Sequence, residues 1–327
     1  MTPSYRPRTG AWRASLAGIA PIAAATLALA VALGSSNPPV DMLVPRGVLR
    51  KAAEAERTVA RAEKVIADAR RVEGVPSDLD DGTARSSLLG GELTPLTTTL
   101  GSAEAKRIST DPRWAGALVV RLYRAGLRPG DVVAAGFSGS FPGLNLAVVA
   151  ACEALRLPIF AISSVTASNY GANQPGFTWP EIERRLVRAG VIGQASVAVS
   201  AGGAGDRALD LDAGGRSEAD RIAAAVARDA GLRVLAPTDF ARAVTERFEV
   251  YGRAVAGRPV RLYVNVGGTE PSLGRSDAVL KLRNGFLPGV PFDFSPGRGM
   301  MARYAERGVP VLTLLNVRDL AARWGIL

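Results

Sequence analysis

Short apolar runs alternate with longer segments of helical periodicity from residue 91 to the C-terminus. The apolar runs predict strands over residues 132–135, 159–162, 197–199, 232–235, 262–266 and 311–315. The periodic segments predict helices over residues 112–125, 144–155, 179–189, 217–230, 237–256, 298–307 and 317–324. Because strands that alternate with helices form parallel sheets, the pattern predicts an α/β domain over residues 91–327. We expect a mostly parallel open sheet with helices on both faces.

An uncharged stretch over residues 14–34 follows three arginines near the N-terminus. About 20 apolar residues suffice to span a bilayer, and flanking arginines stay on the cytoplasmic side. We therefore predict a cytoplasmic segment over residues 1–13 and a transmembrane anchor over residues 14–34. The main domain would then be extracytoplasmic, held at the cell membrane by a single pass. A cleaved signal peptide is the alternative, because residues 28–30 (Ala-Leu-Ala) have the spacing of a cleavage site.

Residues 35–90 predict a spacer and a charged helix ahead of the α/β domain. Ala, Arg, Glu and Lys dominate residues 46–72, where opposite charges recur three or four positions apart. The apolar positions of this helix are thinly spaced: Val48, Ala52, Val59, Ala62 and Ile66. Such a helix suits either a stalk or a helix laid over the domain. Residues 76–91 predict a turn-rich linker.

Composition excludes several chemistries. The 327-residue chain has no histidine, which removes the Ser-His-Asp triad and every histidine metal ligand. Its one cysteine, Cys152, leaves no partner for an intrachain disulfide. Cys152 lies in an apolar helical pattern over residues 146–155, so we expect a small buried hydrophobe. No cofactor is predicted.

The formal charge of +10 favours a polyanionic binding partner, namely phospholipid head groups, an acidic polymer or nucleic acid. The excess of arginine is read first as a bias of composition. No run of Lys and Arg with interleaved aromatic residues occurs, which makes nucleic acid the weakest of the three. We therefore expect the membrane and an anionic polymer as partners, and no nucleic acid.

Small and polar residues follow the predicted strands. In open α/β sheets, ligands bind at this carboxyl edge. Glycine lets the backbone approach a ligand, helix N-terminal amides favour an anion, and hydroxyl and amide side chains donate hydrogen bonds. We therefore predict an anion-binding site there. The candidate ligand-binding residues are Thr98, Thr99, Ser140, Asn145, Ser163, Ser164, Asn169, Asn173, Gly202, Gly203, Asn265, Gly267, Gly268, Thr269 and Glu270.

Charged residues in these loops are few. Lys106 is one of only four lysines, and we weigh a cation facing the cleft against a solvated surface residue. Glu270 is awkward for a carboxylate ligand, unless it pairs with Lys106 or Arg107 or contacts an amino group. Three aspartates after the third strand have a spacing that weakly suits a divalent cation: Asp206, Asp210 and Asp212. An ordinary solvated loop is favoured, and no metal is predicted.

Four loop segments are specific enough to carry a family resemblance. They are Leu-Thr-Thr-Thr-Leu-Gly-Ser-Ala-Glu-Ala-Lys-Arg (96–107), Gly-Phe-Ser-Gly-Ser-Phe-Pro-Gly-Leu-Asn (136–145), Ile-Ser-Ser-Val-Thr-Ala-Ser-Asn-Tyr-Gly-Ala-Asn (162–173) and Asn-Val-Gly-Gly-Thr-Glu-Pro-Ser-Leu-Gly (265–274). From about residue 96 to the C-terminus the chain resembles the poly-gamma-glutamate system protein family. The resemblance implies capsule-type biosynthesis at a bacterial cell surface, beside the poly-gamma-glutamate synthase membrane complex and an exported anionic polymer or its precursor. It supplies no mechanism.

Three functions remain open. In the first, the loops bind the anionic polymer or precursor. In the second, Ser138 is the nucleophile of a serine-type hydrolase or transferase acting on gamma-glutamyl bonds, with Lys106 as the base. Ser138 lies near a nucleophile-elbow pattern but departs from it, because Ser140 stands where glycine is required. In the third, the chain is a non-catalytic assembly scaffold whose loops only cap helices.

Overall fold

Seven strands form one sheet in the computed structural model, which describes residues 44–289 and 297–327. They are β1 (Val132–Phe137), β2 (Ile159–Ser164), β3 (Ser196–Ser200), β4 (Arg233–Leu235), β5 (Val260–Val266), β6 (Gly285–Leu287) and β7 (Val311–Leu314). The order across the sheet is β4-β3-β2-β1-β5-β7-β6, and only the β6–β7 pair is antiparallel. The predicted α/β class and its six strands are confirmed. The short strand β6 was not predicted.

Helices cover both faces of this sheet. They are α1 (Arg46–Glu73), α2 (Ala103–Ser109), α3 (Arg113–Arg124), α4 (Pro142–Leu155), α5 (Trp179–Arg188), α6 (Ala213–Ala230), α7 (Phe240–Ala254), α8 (Glu270–Leu273), α9 (Met300–Ala305) and α10 (Val317–Trp324). Successive residues of a strand point to opposite faces. Accordingly Val133 and Ala135 join a core with α1, α3 and α4, whereas Ala134 joins a second core with α7 and α9.

The N-terminal segments predicted as a cytoplasmic stretch, an anchor or a signal peptide lie outside the described residues. Within residues 44–289 and 297–327, no helix is both long enough and apolar enough to cross a bilayer. Cys152 is buried in α4, as its apolar surroundings in the sequence predicted. Burial raises the pKa of its thiol well above the ordinary range, which makes it unreactive at neutral pH.

The charged helix α1 lies over the domain and does not project from it. All five of its predicted apolar positions are buried, and the helix packs on α3 and α4. The turn-rich linker after it contains a 3-10 turn, Ala84–Leu88, that packs against α1. Arg70 joins the two, because its Nε donates to the Ser87 carbonyl oxygen at 2.6 Å.

Glu63 lies on the buried side of α1, and its Oε1 has no hydrogen-bond partner among the described residues. Burial raises the pKa of this carboxyl to about 8, with Asp111 adding to the shift and Arg85 opposing it. The folded protein therefore binds a proton that the unfolded chain releases above its ordinary pKa of 4.5. We expect this group to make stability fall between pH 4.5 and about 8, by up to about 1.4 kcal/mol per pH unit.

Glu63→Gln is expected to flatten that fall, because the amide stays neutral. Chemical denaturation at pH 5, 7 and 9 measures it as the change in the free energy of unfolding. Glu54→Gln is the matched control, since Glu54 is exposed on the same helix. Equal pH slopes in wild type and Glu63→Gln would show that Glu63 is ionised in the folded protein.

The chain order of the strands creates a switch point next to β1. The chain adds β2, β3 and β4 on one side of β1, then returns to place β5 on the other side. The connections that leave β1 and β5 therefore diverge at the carboxyl edge of the sheet. Such a divergence opens a crevice, and this is the common place for ligands in open α/β sheets.

Candidate functional site

A cleft of about 440 Å³ lies at the carboxyl ends of the strands. Nine of the residues singled out from the sequence line it: Thr98, Thr99, Lys106, Ser138, Ser140, Gly203, Gly268, Thr269 and Glu270. Its volume is within the usual range of small-ligand sites. Asp210, which the sequence analysis weighed only as a metal ligand, also lines the cleft. The remaining lining residues had not been singled out: Leu100, Gly101, Phe141, Thr166, Ser168, Ala204 and Leu315.

Lys106 is the cation of this cleft, and its side chain is almost completely buried. Its Nζ donates to the carbonyl oxygen of Ser140 and to Ser168 Oγ, the latter at 2.6 Å. It also lies 4.4 Å from the centre of the Phe141 ring. No carboxylate among the described residues forms an ion pair with it. Burial lowers the pKa of this amine to about 7, so the ammonium and the free amine coexist at neutral pH.

Three serines form a connected hydrogen-bond chain beside Lys106. Ser138 Oγ donates to Ser140 Oγ at 3.0 Å, and the Ser140 amide donates back to Ser138 Oγ at 3.1 Å. Ser140 Oγ also accepts from the Ser168 amide at 3.0 Å. The hydroxyl that contacts the lysine is therefore that of Ser168. Ser138, the nucleophile favoured by the sequence, has no direct hydrogen bond with Lys106.

The loops after β1 and β5 are in contact where they begin, before they diverge. Gly267 has a φ of +78°, and a Cβ there would lie 2.7 Å from the Cβ of Ser138. Only glycine allows this approach, which brings Gly268, Thr269 and Glu270 to the cleft. The Thr269 hydroxyl, and that of Thr166 on the opposite loop, are buried without a partner among the described residues.

Three predicted asparagines hold loops in place and do not line the cleft. Asn145 Nδ2 donates to the Ser138 carbonyl oxygen at 2.8 Å, which fixes the start of the loop after β1. Asn169 Oδ1 accepts from the Gly101 amide at 2.6 Å. Asn173 Nδ2 donates to Thr97 Oγ1 at 2.9 Å. They position the cleft wall.

The other predicted residues away from the cleft are also buried in internal contacts. Ser163 Oγ accepts from Trp179 Nε1 at 3.1 Å, and Ser164 Oγ lies 3.4 Å from Ser200 Oγ. Asn265 Nδ2 donates to the carbonyl oxygen of Gly267 at 2.9 Å, while Gly202 forms a tight turn with a φ of +80°. Gly267 lies in the contact with Ser138.

The loop after β3 is fixed by carboxylates. Glu270 accepts from the Gly205 amide and pairs with Arg275, and it does not pair with Lys106 or Arg107. Asp210 Oδ1 accepts from the Ala204 amide at 3.0 Å. Asp206 pairs with the buried Arg247 at 2.7 Å.

Asp212 caps α6 through the Gly215 amide. Each of the three aspartates weighed as metal ligands thus has another bonding role. No group of three or more potential metal-ligating side chains occurs among residues 44–289 and 297–327.

The buried Asp206–Arg247 pair was missed by the sequence analysis, although the chain carries a signal for it. Arg247 lies on the face of α7 that buries Ala243, Val244, Val250 and Tyr251. A charged residue at such helical spacing within an apolar face predicts a buried partner of opposite charge.

We compared the chain with family models, with curated proteins and with solved structures, and no significant match emerged from any of these searches.

Proposed function

We propose that the cleft binds carboxylate groups of an anionic polymer, or of its anionic precursor. The single observation that carries this proposal is Lys106. Buried charges in proteins are normally paired, because an isolated ion in a low-dielectric interior is costly. Lys106 has no acidic partner among the described residues and faces a cleft large enough for a ligand. An external anion supplies the missing counter-charge.

The surroundings of Lys106 support an oxygen-rich anion. Hydroxyl-bearing side chains on four different loop segments line the same cleft, on the strands' carboxyl side. Hydroxyls donate hydrogen bonds to carboxylates and to phosphates alike. Charge-assisted hydrogen bonds of this kind are roughly twice as strong as neutral ones. The Lys106 ammonium and these hydroxyls can therefore bind an anion without a histidine.

The polymer we favour is poly-gamma-glutamate, which the family resemblance implies. Each of the four segments that carry the resemblance contributes at least one residue to the cleft wall. We propose further that residues 14–34 anchor the chain, with the cleft on the outer face of the membrane beside the synthase complex. In this proposed arrangement the anion-binding cleft lies where an exported acidic polymer emerges.

The proposal is tested by titrating the full-length chain, in neutral detergent, with fluorescently labelled poly-gamma-glutamate at pH 6. We expect Lys106→Met to weaken binding at least about tenfold, because it removes a charge-assisted hydrogen bond. Methionine keeps the apolar length of the side chain. Glutamate and inorganic phosphate are used as competitors, to separate recognition of a single carboxylate or phosphate from recognition of the polymer.

Lys281→Met is the matched control, since Lys281 is exposed and does not line the cleft. If both lysine variants weaken binding equally, the polymer is held by the basic surface as a whole and the cleft proposal fails. If wild type binds neither the polymer nor the competitors, the assembly-scaffold alternative is favoured.

A further inference from the structure

Ser168 lies where the cleft wall meets the lysine. It begins the turn at residues 168–171 after β2, where the Gly171 amide donates to its carbonyl oxygen at 3.0 Å. Its side chain lines the cleft, and its Oγ lies 2.6 Å from Lys106 Nζ. The Lys106 ammonium donates to Ser168 Oγ in this contact, and in the neutral amine the same contact can reverse, so that Nζ accepts the hydroxyl proton. The described residues offer that proton no other acceptor. This is the geometry of a serine hydroxyl in contact with its base.

The lysine is held for that role by its other contacts. The carbonyl oxygen of Ser140 accepts one N–H, and the Phe141 ring covers another side of the amine. Burial away from any carboxylate favours the neutral amine, so that at neutral pH a large fraction of Nζ carries a free lone pair. A neutral lysine beside a serine is a known way to activate a nucleophile without histidine.

Ser138 is differently placed. Its hydroxyl proton is donated to Ser140 Oγ, and its oxygen accepts from the Ser140 amide. Ser140 in turn accepts from the Ser168 amide. The first two serines therefore fix the backbone that presents Ser168, which makes them positioning residues.

We propose that Ser168 is a nucleophile and Lys106 its general base, in acyl transfer on amide or ester bonds of carboxylate-bearing substrates. This inference rests on the proposed function, because the same cleft must first bind the anionic substrate. Ser168 Oγ attacks the carbonyl carbon while its proton passes to Nζ. The bond to the leaving nitrogen or oxygen then breaks, and that atom takes the proton from Nζ. Water attacks the acyl-serine and its proton passes to Lys106 Nζ. The bond from the acyl carbon to Ser168 Oγ then breaks, and Oγ takes that proton from Nζ, which releases the acid and restores the free serine and the neutral amine.

A fluorophosphonate probe tests the nucleophile directly. Attack on phosphorus forms the Oγ–P bond, breaks the P–F bond and releases fluoride, with the hydroxyl proton passing to Lys106. We treat the full-length chain with the probe and locate the adduct by peptide mass spectrometry. The adduct is expected on Ser168, and labelling should be lost in Ser168→Ala and in Lys106→Met. Ser276→Ala is the control, because Ser276 does not line the cleft.

The pH profile separates a base from a structural lysine. The labelling rate should rise about tenfold per pH unit below pH 7 and level off above it, since only the neutral amine accepts a proton. Release of free glutamate from short gamma-glutamyl oligomers should follow the same profile when it is measured at saturating oligomer, where the fall in affinity above pH 7 does not limit the rate.

An adduct on Ser138, or no adduct at all, would overturn the inference. Titration of Ser168→Ala with poly-gamma-glutamate distinguishes failure of the Ser168–Lys106 dyad from failure of the proposed function. If polymer binding is retained but the wild-type chain is not labelled, the dyad is wrong and the polymer site stands. If Ser168 is labelled in a chain that binds neither polymer nor glutamate, the polymer site is wrong and the dyad stands.

Thermal unfolding of each variant shows whether a loss of labelling reflects a loss of fold. Ser168→Thr, which keeps a hydroxyl, should retain partial labelling.

Discussion

Asp206→Asn is expected to lower the free energy of unfolding by about 3–5 kcal/mol, because it leaves Arg247 charged and buried without a counter-ion. Both side chains are completely buried, and Arg247 reaches Asp206 through Nε at 3.0 Å and Nη2 at 2.7 Å. Asparagine is the replacement that removes the charge without straining the backbone. Asp206 has a φ of +62°, a conformation that asparagine tolerates as well as aspartate. The loss therefore measures charge and not backbone strain.

The double variant Asp206→Asn/Arg247→Met provides the control. It removes the buried charge altogether, so we expect it to recover a large part of the lost stability. Urea denaturation followed by circular dichroism gives the free energies for the four proteins of the cycle. A double variant no more stable than Asp206→Asn would mean that Arg247 contributes by packing and not by its charge.

The same pair holds the cleft wall. Asp206 ends the loop that carries Gly203 and Ala204 to the cleft, and the Gly205 amide donates to Glu270. Binding of poly-gamma-glutamate should therefore weaken in Asp206→Asn even under conditions where the variant remains folded. The effect on the site is indirect, because Asp206 does not line the cleft.

The sheet was predictable because its interior strands are continuous apolar runs. β1 is buried along its whole length and β5 from Leu262 to Val266, which is a strong signal in the sequence. β6 has only three residues, begins at Gly285 and pairs antiparallel at an edge. A segment this short has no periodicity to detect. The order of the strands depends on contacts between distant segments, so no local pattern fixed it.

The location of the cleft was predictable, but the place of each loop residue relative to it was not. Polar residues after the strands did mark the carboxyl edge, because small donors cluster where loops cover a crevice. Which donors face the ligand depends on side-chain direction. Asn145 is one helical turn inside α4 and points back to the Ser138 carbonyl oxygen. Ser168 and Lys106 are 62 residues apart in the chain, and nothing in the sequence pairs them.

The affinity of the cleft for poly-gamma-glutamate is expected to fall about 10- to 100-fold between pH 6 and pH 9. The polymer carboxylates, with an ordinary pKa of about 4.3, stay ionised throughout this range. The titratable groups on the cleft wall are Lys106, Asp210 and Glu270. The Lys106 amine, whose pKa burial lowers to about 7, loses its charge between those limits. In the proposed function, raising the pH removes the positive charge that pairs with the polymer carboxylates.

Fluorescence titrations from pH 6 to pH 9 measure this fall, with Lys106→Met as the reference. The variant should bind weakly and with little pH dependence, and the wild-type curve should descend to its level. Thermal unfolding at each pH checks that loss of fold does not cause the fall, because Glu63 makes stability fall with pH up to about 8. Lys106 acts in the opposite direction. The folded pKa of about 7 lies below the ordinary 10.5, so in the free protein Lys106 makes stability rise with pH across that window. Affinity and this contribution to stability therefore move in opposite directions. A wild-type affinity that stays constant through pH 7 would show that the ammonium of Lys106 is not what holds the polymer.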